Sequence, residues 1–192
     1  AHPPVKTRVP RPPRDKHTRA YKQFMASVPP AYENWRDDQT YDVAAIGKMS
    51  PEERKKVFDL LTGRDITWRE VVALAAIPTP EASAAVDEAL KHHLSIDARL
   101  AAAEAMHQQG RMADLEPFLA RQIRKLYEPR NGLRRALLMA ERHPSETIKQ
   151  ALLWASWNQT DCAPECAKLL LALTGVAQEP FEPDVKQTLE KL

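Results

Sequence analysis

The stretch SIDARLAAAEAMHQQG, residues 95–110, constrains the fold more than any other part of the chain. It opens with a serine, which favours helix N-caps, and closes with a glycine, which favours helix ends. At a helical period its apolar residues fall on two sides, with Ile96, Leu100 and Ala103 on one and Ala98, Ala101, Ala102 and Ala105 on the other. Only Asp97, Arg99 and Glu104 interrupt this apolar surface. Because a helix that is apolar on two sides needs neighbours on both, the stretch predicts stacked helices.

Helix-start motifs recur along the rest of the chain. Ser50 and Glu53 form a capping-box motif, and so do Thr67 and Glu70. Further helix starts are predicted at Thr79, Ser95, Asp114, Asn131, Ser145 and Asp161. Helix stops are predicted at Gly63, Pro78, Gly110, Pro129 and Gly175. These motifs predict eight helices of moderate length.

The spacing of the predicted starts indicates a repeated helical hairpin. Taken alternately, starts at positions 50, 79, 114 and 145 are 29, 35 and 31 residues apart, and those at 67, 95, 131 and 161 are 28, 36 and 30 apart. A hairpin that recurs at this scale is typical of an α-solenoid. No stretch alternates apolar and polar residues as strands do. We therefore predict an all-α fold, a right-handed α-solenoid of about four helical hairpins with an extended N-terminal arm.

The predicted second helices resemble one another and a known repeat family. They read WREVVALAAI, IDARLAAAEAM, LRRALLMAER and CAPECAKLLLAL, and DARLAAAEAM resembles the small-residue second helix of HEAT repeats. The resemblance covers about residues 50–175; the fourth unit departs from it with its cysteines and proline. It implies an open stack with a shallow concave face. HEAT-like proteins are mostly scaffolds and binding modules, and a minority are DNA glycosylases. The ending ALLWASWN followed by DCAPECAKLLLALTG resembles small bacterial HEAT-like immunity proteins.

Composition divides the chain into three predicted regions. Residues 1–16 are basic and proline-rich, which favours an extended arm. Residues 17–49 are predicted to hold a short helix over 17–27 and an aromatic connector with Tyr32, Trp35 and Tyr41, and residues 50–192 the solenoid. The arm is open to two interpretations, a basic segment that wraps an acidic partner and a solubilising tail or linker.

The charge of the chain is concentrated in the arm. The formal net charge is +2, but residues 1–22 hold seven basic residues and one acidic residue, a charge of +6. Residues 23–192 hold 21 basic and 25 acidic residues, a charge of −4. This distribution argues against a folded body that is basic all over, as in many nucleic-acid-binding proteins.

Sequence motifs of catalysis are missing. The chain has no glycine-rich phosphate loop, HExxH motif, nucleophile elbow or paired-cysteine zinc motif. We predict a protein that is not an enzyme and needs no cofactor or metal. Cys162 and Cys166, four apart on a predicted helix, are poorly placed for a disulfide and, like His92 and His93, offer only two ligands of a metal site. Buried free thiols are the preferred interpretation.

The cellular setting is predicted from the same residues. Two thiols suit a reducing compartment. No apolar run has the length of a membrane span, and the start of the chain lacks the layout of a signal peptide. We expect a cytoplasmic protein without a membrane partner.

One candidate binding site is a cluster of basic residues. The cluster comprises Arg121, Arg124, Lys125, Arg130, Arg134 and Arg135. The helix predicted after Asp114 places the first three opposite its apolar face, while Arg134 and Arg135 need not share that surface. The cluster is either a solvated helix face with basic residues at its C-terminal end or a patch for an acidic protein or for phosphates.

The second candidate is a pair of tryptophans. In the helix predicted from Ser145, one side holds Ile148, Ala151, Leu152 and Ala155 and the other holds Leu153, Trp154 and Trp157. The tryptophans are either interface anchors or are covered by the next helix or by residues 178–192. Trp68 is expected in the core.

Together these features predict a non-catalytic protein-binding module. The leading hypothesis is an immunity or antitoxin-like inhibitor that binds a bacterial toxin with an acidic surface. The alternatives are a HEAT-like DNA-binding protein, including a glycosylase-like one, and a structural adaptor of a bacterial assembly.

Overall fold

The computed structural model describes residues 17–28, 40–126 and 132–176. Over these three ranges the chain is all-α, with ten helices and no strand. The helices are α1 (Arg19–Ser27), α2 (Val43–Ile46), α3 (Pro51–Thr62), α4 (Trp68–Ala75), α5 (Pro80–His92), α6 (Ile96–Gln108), α7 (Leu115–Ile123), α8 (Leu133–Arg142), α9 (Glu146–Asn158) and α10 (Ala163–Thr174).

Local capping explains where most helices begin. Both predicted capping boxes are confirmed at the starts of α3 and α4. The hydroxyls of Thr79, Ser95 and Ser145 each accept a backbone N–H from the first turn of α5, α6 and α9. Asp114 precedes α7 as predicted, without a side-chain cap. These caps satisfy N–H groups that have no partner inside the helix.

Four helix starts differ from the predictions. Helix α1, predicted over 17–27, begins at Arg19 with Thr18 as its N-cap. The helix predicted from Asp161 has its N-cap at Cys162, because a turn closed by the Cys162 N–H and the Gln159 carbonyl at 3.3 Å contains Asp161. Asn131 lies outside the described residues, and the N-cap of α8 is Gly132. The four-residue α2, capped by Asp42, was not predicted, since so short a helix has no apolar period.

The side chains of α6 join two hydrophobic clusters, as the sequence predicts for a helix apolar on two sides. Ala98, Ala101 and Ala102 belong to a cluster that α1 to α5 share. Leu100 and Ala103 belong to a second cluster formed with α7 to α10. All five are at most 1 % exposed. The core is therefore continuous through this helix.

The helices pack mainly against near neighbours in the sequence. Within pairs, α3 contacts α4, α5 contacts α6, α7 contacts α8, and α9 contacts α10. The second helices of successive pairs also meet, α4 against α6, α6 against α8, and α8 against α10. Among the first helices, α7 packs closely against α9. This arrangement creates the two surfaces described below.

The residues before α3 pack against the first cluster. The Glu53 carboxylate accepts hydrogen bonds from the Thr18 N–H at 2.7 Å and the Thr18 hydroxyl at 2.9 Å. Phe24 is fully buried and stacks on Tyr41, whose hydroxyl donates to Glu70. Both capping-box glutamates thus also hold the N-terminal segment. The predicted arm over 1–16, with Tyr32 and Trp35 of the connector, lies outside the described residues.

Candidate functional site

The outer side of α9 exposes large apolar side chains. Its inner side, Ile148, Ala151, Leu152 and Ala155, is fully buried. On the opposite side Leu153 is 47 %, Trp154 41 % and Trp157 77 % exposed. The tryptophans therefore remain exposed although α10 packs against α9. Residues 178–192, the other predicted cover, lie outside the described residues.

The C-terminal end of α7 carries three exposed basic side chains. Arg121, Arg124 and Lys125 face solvent, while Leu119 and Ile123 are fully buried on the other side. Cations at this end of a helix interact favourably with its last carbonyls. The predicted division of this helix into an apolar and a basic side is confirmed.

A contact beyond both helices shows that their C-terminal ends lie together. The Cys162 thiol, four residues after α9 ends, donates to the Leu126 carbonyl, three residues after α7 ends, at 3.7 Å. Because α7 and α9 also pack against each other, the basic residues and the tryptophans occupy the same end of adjacent helices. We call Arg121, Arg124, Lys125, Leu153, Trp154 and Trp157 the α7–α9 surface. Asp161, beside Cys162, is an exposed acidic neighbour of it.

A cleft of about 360 Å³ is formed largely by the second helices. Trp68 and Arg69 come from α4, Asp97 and Glu104 from α6, and the rest of its wall from α8. The α8 contribution comprises Arg134, Arg135, Leu138, Met139 and Arg142, and Thr40 completes the lining. We call this space the arginine cleft, since four arginines line it.

Charged groups inside the arginine cleft form a connected network. Arg142 Nη1 donates to Glu104 Oε1 at 2.5 Å. Arg135 Nη1 lies 3.7 Å from Glu104 Oε2, and its Nε lies 3.9 Å from Asp97 Oδ1. The guanidinium carbon of Arg135 is 4.2 Å from the centroid of the Trp68 ring, and that of Arg69 is 4.8 Å away. These are cation–π distances.

Burial changes the proton affinity of the groups in this network. It raises the pKa of Asp97 above its ordinary value, although the Arg135 charge and the Gly132 N–H lower it. Burial also lowers the pKa of Arg135, against the opposing effect of Glu104 and Asp97. Arginine nevertheless stays protonated in proteins. The cleft therefore holds permanent cations in a partly desolvated space, where electrostatic interactions are stronger than in water.

The structure divides the predicted site residues between two places. Five of them, on the α7–α9 surface, are exposed toward the C-terminal ends of two helices that pack side by side: Arg121, Arg124, Lys125, Trp154 and Trp157. Arg134 and Arg135 are on α8 and line the arginine cleft, with Arg135 engaged by two carboxylates of α6. Arg130 lies outside the described residues.

Sequence reasoning did not find the arginine cleft. It placed Trp68 in the core, and this residue does pack against the first cluster while also lining the cleft. A usable indication was present: Asp97 and Glu104 lie seven residues apart on a helix predicted to be covered on both sides. Arg135 and Arg142 have the same spacing on α8, so each of the two carboxylates of α6 can face one arginine of α8.

The two candidate thiol ligands and the helix-end histidine His107 are packed side chains, whereas His92, of the candidate histidine pair, is exposed. Cys162 and Cys166 are buried free thiols, as predicted, and burial raises the pKa of Cys166 to about 12. His107, half-buried, meets the edge of His143 and bonds the Met112 carbonyl through Nδ1 at 3.0 Å. In the part of the chain that the structure describes, no three His, Cys, Asp or Glu residues are grouped as metal ligands.

Within the described ranges, no helix has both the length and the apolar character needed to cross a membrane. Comparison with protein-family models, with curated proteins and with solved structures found no match to this chain.

Proposed function

We propose that the chain is a HEAT-like, right-handed α-solenoid that works as a non-catalytic protein-binding module. Its four hairpins would be α3–α4, α5–α6, α7–α8 and α9–α10. The order of contacts supports this arrangement, since the second helices meet in succession from α4 to α10. In a solenoid, each repeat buries its apolar sides against its neighbours and leaves extended surfaces for a partner.

The observation that carries the proposed function is the exposure of Leu153, Trp154 and Trp157 on one side of α9. Tryptophan is enriched at the energetic centres of protein interfaces, because its large ring gains much from desolvation at a small cost in side-chain entropy. Three such neighbours on one helix exceed the isolated apolar residues of an ordinary surface. The partner would supply an apolar pocket for this group.

The basic end of α7 defines the charge of the partner. Arg121, Arg124 and Lys125 outnumber the two exposed carboxylates that act on Cys162, Asp161 and Glu165, so the facing surface should be acidic. Charges of opposite sign accelerate association, while buried aromatic anchors slow dissociation. We therefore propose a protein partner whose apolar pocket is bordered by aspartate and glutamate.

An inhibitor is the specific role that we propose for this module. A rigid helical surface that covers the active region of an acidic bacterial toxin would act as an immunity or antitoxin-like protein without any chemistry of its own. An adaptor in a larger assembly would use the same surface but would block no activity. Inhibition by the bound chain distinguishes the two roles.

The test begins with capture of partners from a lysate of the source cells by the full chain at moderate salt. A stoichiometric protein partner is then compared in binding to the wild type and to a Trp154→Ala, Trp157→Ala variant. We expect the double variant to lose at least about 2 kcal/mol of binding free energy, mostly through faster dissociation. Leu94→Ala is the matched control, because Leu94 is 95 % exposed and lies before α6, outside the α7–α9 surface.

Charge reversal at Arg121, Arg124 and Lys125 provides an independent test. It should slow association strongly at low salt and only weakly at high salt, because salt screens long-range attraction. Equal affinity of the wild type and both surface variants would contradict the proposed site. Capture of nucleic acid that salt removes would favour the DNA-binding alternative instead.

A further inference from the structure

The arginine cleft has a chemical character that the proposed protein-binding surface does not use. Its charged lining consists of Arg69, Arg134, Arg135 and Arg142 with the carboxylates of Asp97 and Glu104. Among the described lining residues, four guanidinium groups and two carboxylates therefore share one cleft. An anion that enters it would meet several guanidinium groups at short range.

Arg135 shows that the hydrogen-bonding capacity of the cleft is incompletely used. Its Nε is buried and donates no hydrogen bond, because the nearest carboxylate oxygen, on Asp97, is 3.9 Å away. Its contact with Glu104, at 3.7 Å, is also longer than a hydrogen bond. A buried donor without an acceptor is unfavourable. An anion with several oxygens could supply the acceptors that these carboxylates do not provide.

Several guanidinium groups in one cleft favour phosphate over carboxylate as the anion. A phosphate monoester carries a charge of about −1.5 to −2 at neutral pH and three acceptor oxygens, whereas a single carboxylate carries one charge. Arginine forks recognise phosphate through two parallel hydrogen bonds. The wall also includes Trp68 and Leu138, the latter 42 % exposed, which suit an apolar or ring-bearing body attached to the phosphate.

We propose that the arginine cleft between α4, α6 and α8 binds a small phosphate monoester with a ring-bearing body. The cleft volume of about 360 Å³ lies within the range of small-molecule sites. Arg135 and Arg134 hold the phosphate, and the body rests against Trp68 and Leu138. This ligand occupies a different surface from the proposed protein partner.

The test uses AMP as the monoester probe and titration calorimetry of the full chain. Inorganic phosphate, adenosine and succinate are measured in parallel to separate the contributions of phosphate, ring and carboxylate. We expect AMP to bind more tightly than inorganic phosphate, and adenosine and succinate to give no measurable binding at the same concentrations. A change in tryptophan fluorescence on AMP binding that Trp68→Phe abolishes would place the ligand in the cleft.

Two arginine variants locate the phosphate. Arg135→Gln and Arg134→Gln should each weaken AMP binding by about tenfold or more, the effect expected for loss of a charged hydrogen bond. The matched control, Arg121→Gln with Arg124→Gln, removes two charges outside the cleft and should change affinity by less than about twofold in physiological salt. Arg134 is exposed, so Arg134→Gln should fold and tests phosphate binding in the cleft even if Arg135→Gln does not fold.

Three outcomes would overturn the proposal. Absence of AMP binding at millimolar concentration is the first, and equal weakening by the cleft variants and the control pair is the second. The third is adenosine or succinate binding as tightly as AMP. None of these results affects the α7–α9 surface, whose own variants test the protein-binding function separately.

Discussion

At the scale of single residues, Glu70 combines a helix cap with a tertiary contact. Its carboxylate accepts hydrogen bonds from the Thr67 N–H at 2.9 Å, the Thr67 hydroxyl at 2.5 Å and the Tyr41 hydroxyl. Burial alone raises the pKa of Glu70, but the bonds from Thr67 and Tyr41 bring it below the ordinary value of 4.5. Burial, followed by the bond to Glu70, raises the pKa of Tyr41 to about 12.

Glu70→Gln should therefore destabilise the fold in a pH-dependent manner. At neutral pH we expect a loss of about 1–3 kcal/mol, because one amide oxygen cannot replace two carboxylate oxygens as acceptors. A lowered native pKa gives stability that is present above the unfolded-state value and disappears as the pH falls through the native one. The difference in unfolding free energy between the wild type and Glu70→Gln should thus become smaller below pH 4.5.

Urea unfolding at neutral and acidic pH measures this difference. Glu88→Gln, at an exposed position on α5, serves as the control and should stay within about 0.5 kcal/mol of the wild type at neutral pH. A gap between wild type and Glu70→Gln that widens on acidification would contradict the role given to this carboxylate.

At the scale of elements, the start of α8 approaches α6 through a glycine. Gly132 has a φ of +83°, and a Cβ atom there would lie 2.5 Å from Ile96 Cγ2. Its N–H donates to Asp97 at 3.2 Å, next to the arginine cleft. Only glycine combines this left-handed conformation with so close an approach. The position of α8 against α6 therefore depends on one missing side chain.

Gly132→Ala and Gly110→Ala form a matched pair that isolates this approach. Gly110 also has a positive φ, +70°, but open space surrounds it. In both variants an alanine must adopt a left-handed backbone conformation, which costs about 1–2 kcal/mol of stability. Gly132→Ala should lose about 1–3 kcal/mol more, because its methyl group overpacks against Ile96. Thermal and urea unfolding measure both losses. Equal destabilisation would show that α8 moves away from Ile96 at no cost.

At the scale of the whole molecule, α6 connects the two hydrophobic clusters. Ala102 packs into the first cluster and Ala103, the next residue, into the second. Neither cluster can lose this helix without exposing apolar surface of its own. We therefore expect the described helices to unfold as one cooperative unit.

Ala102→Leu tests this coupling across the molecule. The larger side chain should destabilise the fold by about 1–3 kcal/mol, because Ala102 is fully buried. Hydrogen exchange of the slowest amides should accelerate by the same factor in α4 and in α9, although Ala102 belongs to the first cluster only. Ala84→Leu, at an exposed position of α5, is the control. Unchanged exchange in α9 would indicate two independent units.

The sequence predicted helix positions more accurately than site geometry. Capping boxes at Ser50 and Thr67 act over three residues, so their effect is visible in the local sequence. The basic side of α7 and the two sides of α9 follow from helical period in the same way. By contrast, the placement of the C-terminal ends of α7 and α9 side by side depends on how the two helices pack, and the period of either helix carries no information about it.

The local sequence was sufficient to predict the helical class, most helix starts and the burial pattern of α6, α7 and α9, because caps and apolar period act within one or two turns. Which distant residues meet depended on the tertiary structure. Glu53 bonds with Thr18, which is 35 positions away in the sequence. Tyr41 bonds with Glu70, 29 positions away, and Glu104 with Arg142, 38 positions away. These pairings depend on the order of the helices and on the angles at which they pack. Those angles are set by the interdigitation of side chains along each whole interface. The arginine cleft is a product of that packing.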